Sequence, residues 1–113
     1  MGFNERIAPF FWVDHGKSVS LCLYVGEYKT EVFDARADEG FEGNGYDWAS
    51  LASVYIDEKC PGLKGVVKFN PEGSMFCAYS SDKAALEAFA LGFKEACEDD
   101  ALIRDLFSSA ELD

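Results

Sequence analysis

The chain has 113 residues, of which 49% are hydrophobic and 15% aromatic, and a formal net charge of −11 at pH 7. This length suits one domain with a single hydrophobic core, and the apolar content excludes an intrinsically disordered chain. No apolar run reaches the about 18 residues of a transmembrane helix, and the first residues do not form a signal peptide, so we expect a cytoplasmic protein.

Three antiparallel strands are predicted for the first third of the chain. Residues 10–14 and 18–25 flank the turn sequence HGK, and apolar residues alternate with smaller or polar ones along 18–25, as in a strand. Residues 28–33, YKTEVF, are expected to return as a third strand after a type II′ turn at Gly26 and Glu27.

An acidic loop and a helix are expected next. Residues 34–47 contain three glycines and five acids, which favours a long loop. Apolar residues then recur at helical spacing, which predicts a helix over 47–59. Asp47 is the expected N-cap of this helix, and Pro61 and Gly62 are expected to end it.

The second half of the chain is predicted to contain a hairpin followed by two helices. Strands over 66–69 and 75–79 flank the sequence NPEG, whose asparagine, proline and glycine occupy preferred positions of a type I turn. Amphipathic spacing predicts a helix over 82–97, capped by Ser81, and another over 100–107. The adjacent acids Asp99 and Asp100 favour the start of a new helix at this point, and one continuous helix is the alternative.

The predicted order β-β-β-α-β-β-α-α indicates a single α+β domain over residues 1–113. Its antiparallel sheet of about five strands would carry the helices on one face. Neither an internal repeat nor a low-complexity tract divides the chain.

The sequence EGNGYDW, residues 42–48, suggests either a phosphate-binding loop or a structural turn. Trp48 stands where the pattern G-x-G-x-x-G needs its third glycine, and the nearby acids would repel a phosphate. The favoured interpretation is that Asn44 and Gly45 adopt positive φ and let Tyr46 and Trp48 pack into the core. A binding loop with one of these aromatic side chains exposed is the other possibility.

The four cysteines are predicted to be reduced and mostly buried. Cys22, Cys60, Cys77 and Cys97 show no C-x-x-C spacing, and no secretory signal accompanies them. A structural zinc site is disfavoured because His15 is the only histidine. A nucleophile pair of a cysteine with His15 stays open, since such partners meet in space rather than in sequence.

The acidic residues match no metal-binding or glycosidase pattern, so no catalytic, metal or cofactor site is predicted. Their distribution is regional. Residues 34–47 have a net charge of −4 and residues 95–113 of −6, so that the two regions hold −10 of the total −11. This distribution disfavours nucleic acid and anionic membranes as partners and favours a basic protein.

Four stretches of the chain resemble the immunity protein 51 family: VSLCLYVGEYKTEVFD, GNGYDW, FNPEGSMFCAYSSDK and ALIRDLFSSAEL. The resemblance covers nearly the whole chain from residue 10 onward. Members of this family are small α+β proteins of bacterial polymorphic toxin systems. The resemblance therefore implies a non-catalytic protein that binds and neutralises a cognate toxin domain.

The regional acidity and the resemblance together suggest which residues contact a basic cleft of the toxin. The candidates are Asp38, Glu39, Glu42, Tyr46, Asp99, Asp100 and Asp105. Asp47 is left out because it is expected to cap a helix. The alternative hypothesis is a small cytosolic enzyme, or a ligand-binding module, that uses Cys22 or Cys77 with His15.

Overall fold

Residues 2–111 are described by the computed structural model, in which a four-stranded sheet and five α-helices share one hydrophobic core. The strands are β1 (Phe11–Asp14), β2 (Val19–Tyr24), β3 (Lys68–Phe69) and β4 (Met75–Ser80). The helices are α1 (Phe3–Ile7), α2 (Thr30–Asp34), α3 (Gly45–Lys59), α4 (Lys83–Glu98) and α5 (Asp100–Ser108). The α+β class is confirmed, with four strands instead of about five.

The sheet is antiparallel throughout, with the strand order β1-β2-β4-β3. In its central pair, Leu21 lies opposite Ala78, and Cys22 lies opposite Cys77. Leu21 and Ala78 are fully buried, and α3 and α4 pack against the sheet. Ser20 and Cys22 lie on the other face, because successive side chains of a strand alternate. The predicted alternation along β2 is confirmed.

The predicted third strand over 28–33 is wrong, since the chain turns at Lys29 and forms α2. Lys29 has a left-handed backbone with φ of 55°, and the turn at Gly26 leads into this helix instead of a hairpin. Val32 and Phe33 are neighbours in sequence, yet both are buried in the core. A strand would direct them to opposite faces, whereas in a helix they are about 100° apart around the axis, so both can reach a core on one side of α2.

The β3–β4 hairpin lies where it is predicted, but its turn does not. Glu72 and Met75 exchange backbone hydrogen bonds of 2.8 and 3.2 Å, so the two residues between them form the turn. The predicted type I turn at 70–73 is therefore wrong, because most of this segment extends the edge strand. Pro71 is compatible with that position, since an edge strand has one side without ladder hydrogen bonds.

Helices α3, α4 and α5 lie close to their predicted positions. Asp99 separates α4 from α5 and caps α5 with its side chain, which confirms the predicted new helix. Asp82 rather than Ser81 caps α4, because its carboxylate accepts the N–H in the first turn. No element is predicted for the N-terminal residues, which form α1 and bury Ile7.

Trp48 of α3 lies at the centre of an aromatic core and is 1% exposed. Five aromatic rings have centroids within 6.3 Å of its own: Phe10, Tyr28, Phe33, Phe76 and Phe93. These rings belong to segments from both halves of the sequence. Trp48 therefore joins the sheet to α2 and α4, and its predicted burial is confirmed.

Candidate partner-binding site

The segment EGNGYDW starts α3 through two reciprocal side-chain contacts. Asn44 is the N-cap, and its side chain accepts the N–H of Asp47 at 2.9 Å. The Asp47 carboxylate in turn accepts the N–H groups of Glu42 and Gly43 at 2.7 and 2.9 Å. The prediction of Asp47 as N-cap is therefore wrong. The left-handed backbone lies at Gly43, with φ of 78°, and not at Asn44 or Gly45.

Gly45 is needed for a close approach and not for an unusual backbone angle. Its N–H donates to the carbonyl of Gly73 at 3.2 Å, in the turn between β3 and β4. A Cβ atom at Gly45 would overlap the carbonyl oxygens of Glu72 and Met75. The glycine thus allows α3 to start in contact with the hairpin.

The first turn of α3 directs two aromatic side chains in different directions. Trp48 enters the core, whereas Tyr46 is 46% exposed. The structural interpretation of the segment therefore holds for Trp48 and is wrong for Tyr46, which is exposed and stays a candidate contact residue. Tyr46, Ser50 and Ser53 recur at helical spacing, which places them on one face of α3.

An open cleft of about 520 Å³ lies beside this face, between α3, the β3–β4 hairpin and the residues after α5. Its lining is mixed, with the hydroxyls of Ser50 and Ser53, the apolar Phe69 and Pro71, and the acidic Glu111. The sequence does not predict this cleft, because its walls come from three distant segments. The small polar residues at helical spacing on α3 were its only local signal.

Arg36 joins the acidic segment 34–47 to α5, and we call these two elements together the acidic region. Its guanidinium donates to the backbone carbonyls of Phe107 and Ala110, the latter at 2.9 Å. It also lies over the rings of Phe41 and Phe107, 4.5 and 4.9 Å from their centroids. Such cation–π contacts add to the hydrogen bonds. Two acidic stretches that are remote in sequence therefore adjoin in the fold.

Three of the predicted contact residues have local partners. Glu39 pairs with Arg36 at 2.9 Å, and the hydrogen bond from the guanidinium lowers the pKa of the Glu39 carboxyl. Asp100 pairs with Arg104 at 3.0 Å, one turn further along α5. Asp99 accepts a backbone N–H as the cap of α5. These three carboxylates therefore already take part in interactions within their own segments.

The other predicted acidic contacts, Asp38, Glu42 and Asp105, are exposed. Within residues 2–111 none of the three forms an ion pair, and we call them the free acids. Glu42 accepts one hydrogen bond, from the Asn44 side chain at 3.2 Å. Asp113, which contributes to the charge of the C-terminal region, lies outside the described residues.

The residues of the alternative hypothesis follow one another along the sheet. Nε2 of His15 lies 3.0 Å from Oγ of Ser20, and Ser20 lies diagonally across from Cys77 in the pairing of β2 with β4. Cys22 donates its S–H to Cys77, with the two sulfurs 3.7 Å apart. A cysteine nucleophile is activated by direct contact with its base. Here Ser20 separates the imidazole from the sulfurs, so this arrangement differs from a Cys–His catalytic pair.

The four cysteines are free thiols, and three of them are buried: Cys22, Cys77 and Cys97. Burial raises the pKa of the Cys97 and Cys60 thiols, although Cys60 is partly exposed. A raised pKa leaves little reactive thiolate at neutral pH. The prediction of mostly buried cysteines is confirmed.

Neither a metal-binding cluster nor a membrane-spanning helix occurs among residues 2–111. No three His, Cys, Asp or Glu side chains in that range are grouped so that they could hold a metal ion. The longest of the described helices, α4, has 16 residues, and none of them is long and apolar enough to cross a membrane.

Residues 10–112 match a family model described as Immunity protein 51. The matched range contains all four strands and the helices α2 to α5, so it includes the acidic region, Tyr46 and the cleft. No curated protein and no solved structure shows a significant match to the chain.

Proposed function

Because the chain belongs to the immunity protein 51 family, we propose that it binds a cognate bacterial polymorphic toxin domain in the cytoplasm and neutralises it without catalysis. The family match over residues 10–112 is the observation that carries this proposal. Inhibition by binding is stoichiometric, so each molecule of the protein protects against one molecule of toxin.

In this proposal the acidic region attracts the toxin. A toxin domain that acts on nucleic acid needs a basic cleft, because it must bind phosphates. The free acids Asp38, Glu42 and Asp105 are exposed and form no ion pair within residues 2–111, so they are our first candidates for contact with that cleft. Opposite potentials on two proteins raise their association rate and fix their relative orientation.

The partnered acids have a smaller role. Glu39, Asp99 and Asp100 add to the negative potential of the acidic region, but each already interacts with a nearby cation or N–H group. Releasing such a carboxylate for a new partner costs the interaction that it leaves. We therefore expect their substitution to weaken toxin binding less than substitution of the free acids.

Tyr46 supplies the apolar part of the proposed contact. It is 46% exposed at the start of α3, directly after the acidic segment and on the face that leads to the cleft. Tyrosine is enriched among the few interface residues that carry most of the binding energy. The cleft lined by Ser50, Ser53 and Glu111 would receive a polar or basic side chain of the toxin.

A candidate toxin domain, sought in the genes that neighbour the gene of this protein, would test the proposal. Cells that express the toxin should survive when the protein is co-expressed, and titration of toxin activity should reach its end point at a one-to-one ratio. Death of cells that contain abundant folded protein would exclude inhibition by binding. Protection at far below one molecule per toxin would indicate an enzyme instead.

The acidic contact surface has its own matched control. Changing Asp38, Glu42 and Asp105 to lysine should slow association with the toxin by about tenfold or more, because the steering potential is reversed. Changing the exposed Glu5, Glu27 and Glu58 to lysine alters the net charge equally but outside the acidic region. Equal slowing by both triple variants would contradict a local acidic contact and leave the immunity role untouched.

A further inference from the structure

Cys22 and Cys77 face each other across the two central strands of the sheet. The carbonyl of Cys77 accepts the N–H of Asn70 from the edge strand, so Cys77 directs its backbone hydrogen bonds away from β2. Cys22 and Cys77 are therefore a non-hydrogen-bonded antiparallel pair, the type in which opposite side chains lie closer together. Their sulfurs are 3.7 Å apart.

We propose that Cys77 and Cys22 form an oxidisable dithiol, in which Cys77 reacts with a peroxide and Cys22 then closes a disulfide. The proposal rests on the register of β2 and β4 and on the hydrogen bond between the two thiols. It is independent of toxin binding. Neither Cys60 nor Cys97 lies in a strand of the sheet, so the cross-strand geometry belongs to Cys22 and Cys77.

One hydrogen bond and one polar neighbour select Cys77 as the attacking sulfur. Cys22 donates its S–H to Cys77, and Ser20 lies diagonally across from Cys77 on the same face of the sheet. Nε2 of His15 can then donate to the Ser20 oxygen, which lies 3.0 Å away. Donation by Cys22, and to a smaller extent the nearby Ser20 hydroxyl, lowers the pKa of the Cys77 thiol, whereas the pKa of Cys22 is raised because it keeps the shared proton. The thiolate is the nucleophilic form of cysteine.

The reaction consumes one hydroperoxide and releases two molecules of water when the oxidant is hydrogen peroxide. The Cys77 thiolate attacks one peroxide oxygen, the O–O bond breaks, and the leaving hydroxide takes up a proton to form water. Cys77 is then a sulfenic acid. The Cys22 sulfur attacks the Cys77 sulfur, the S–O bond breaks, and the S–H proton leaves with the hydroxyl group as the second water. The two thiols lose two electrons in total, and the peroxide gains them.

The disulfide would need only a short movement of the sulfurs. A disulfide bond is about 2.05 Å long and spans Cα atoms about 4.4 to 6.8 Å apart, a range that includes directly opposed strand residues. The bond would join residues 55 positions apart in sequence and fasten β2 to β4. Since such a link constrains the unfolded chain, the oxidised protein should unfold at a higher temperature than the reduced protein.

Hydrogen peroxide added to the reduced full-length protein tests the proposal. We expect two of the four thiols to disappear, with a mass lower by two hydrogen atoms and a linked peptide that contains Cys22 and Cys77. The Cys60→Ser variant should react at the same rate. Oxidation that begins at Cys60, or a linked peptide that contains Cys97, would overturn the proposal, as would four intact thiols.

Single variants separate the roles of the two sulfurs. In Cys22→Ser, a sulfenic acid at Cys77 should accumulate and be captured by a cyclic 1,3-diketone. In Cys77→Ser, oxidation of Cys22 should be slower by about tenfold or more, because burial still raises the pKa of its thiol. Equal rates in the two variants would refute the assignment of Cys77.

The wild-type protein supplies a second test if either variant fails to fold. Its rate of thiol loss should reach half of its maximum at a pH below about 8.5, the ordinary pKa of cysteine. The change Ser20→Ala removes the hydroxyl beside Cys77, which lowers the pKa of that thiol, and should move this midpoint to higher pH. A midpoint at or above the ordinary value would contradict the proposal.

Discussion

Gly45 and Glu72 are in such close backbone contact that the fold has no room for a side chain at position 45. Alanine normally favours a helix over glycine by about 1 kcal/mol. At Gly45 we expect the opposite sign, with Gly45→Ala destabilising the protein by about 1 to 3 kcal/mol, because the β3–β4 turn must move. Urea unfolding measures the difference. Gly73→Ala is the matched control, since a Cβ atom there meets no atom within 4 Å; equal effects would contradict the close contact.

Trp48 and Tyr46 should respond to truncation in opposite ways. Trp48→Ala empties the centre of the aromatic core and should cost about 3 to 5 kcal/mol of unfolding free energy. Tyr46→Ala should change stability little, because the ring is 46% exposed, and should weaken toxin binding. Thermal unfolding and toxin affinity are measured on both variants. A Trp48→Ala protein that melts like the wild type but no longer binds toxin would reverse the two assignments.

Asp47 should be more important to stability than an ordinary helix cap. Asp47 is 5% exposed, and its carboxylate accepts two backbone N–H groups of the preceding segment. Asp47→Ala should therefore cost about 1.5 to 3 kcal/mol, the range for hydrogen bonds to a charged group. Asp82→Ala, which removes a simple N-cap of α4, should cost about 1 kcal/mol. Denaturant unfolding of both variants measures the two losses of stability. A larger loss of stability for Asp82→Ala than for Asp47→Ala would contradict this prediction.

Tyr28 and Glu98 link stability to pH. The Tyr28 hydroxyl donates to the Glu98 carboxylate, and this hydrogen bond lowers the pKa of Glu98. A carboxyl group whose pKa is lowered by folding stabilises the protein at pH values above its ordinary pKa, which is about 4.3 for glutamate. That contribution is lost as the pH falls through the folded-state pKa. Tyr28→Phe should therefore destabilise the protein most at neutral pH, and the difference from the wild type should narrow in acid.

Urea unfolding at a series of pH values between neutral and acid measures this difference. Tyr24→Phe is the control, since the Tyr24 side chain is 69% exposed and stacks on Phe11. Its difference from the wild type should not depend on pH. If the stability of the wild type and of Tyr28→Phe differed by the same amount at every pH, the contact with Glu98 would have no role in the pH dependence of stability.

Salt should act on toxin association more than on dissociation. Charges on exposed carboxylates are screened beyond about 8 Å at physiological ionic strength. We expect the association rate to fall by about tenfold from low to high salt, with a much smaller change in the dissociation rate. Surface-bound toxin gives both rates. The variant with lysine at Asp38, Glu42 and Asp105 should lose most of this salt dependence. If its association rate depends on salt as strongly as that of the wild type, steering by the free acids is refuted.

Local patterns were sufficient for the elements whose burial follows a simple period. The alternation along 18–25 predicted β2, and the amphipathic spacing after Ser81 predicted α4, because each presents one apolar face to one core. The segment 28–33 also alternates, but Val32 and Phe33 both enter the core. Its helical form depends on what surrounds it, including Trp48 and Phe107, both of which the Phe33 ring contacts.

Family membership, the α+β class and the regional acidity follow from the sequence by itself, since each depends on residue types and their local order. Three features were decided only by the tertiary structure. They are the docking of the acidic segment on α5 through Arg36, the opposite directions of Tyr46 and Trp48, and the meeting of Cys22 with Cys77. The first and the third depend on contacts between segments that are remote in sequence. The second depends on which side of α3 faces the core, and packing of the whole chain determines all of them.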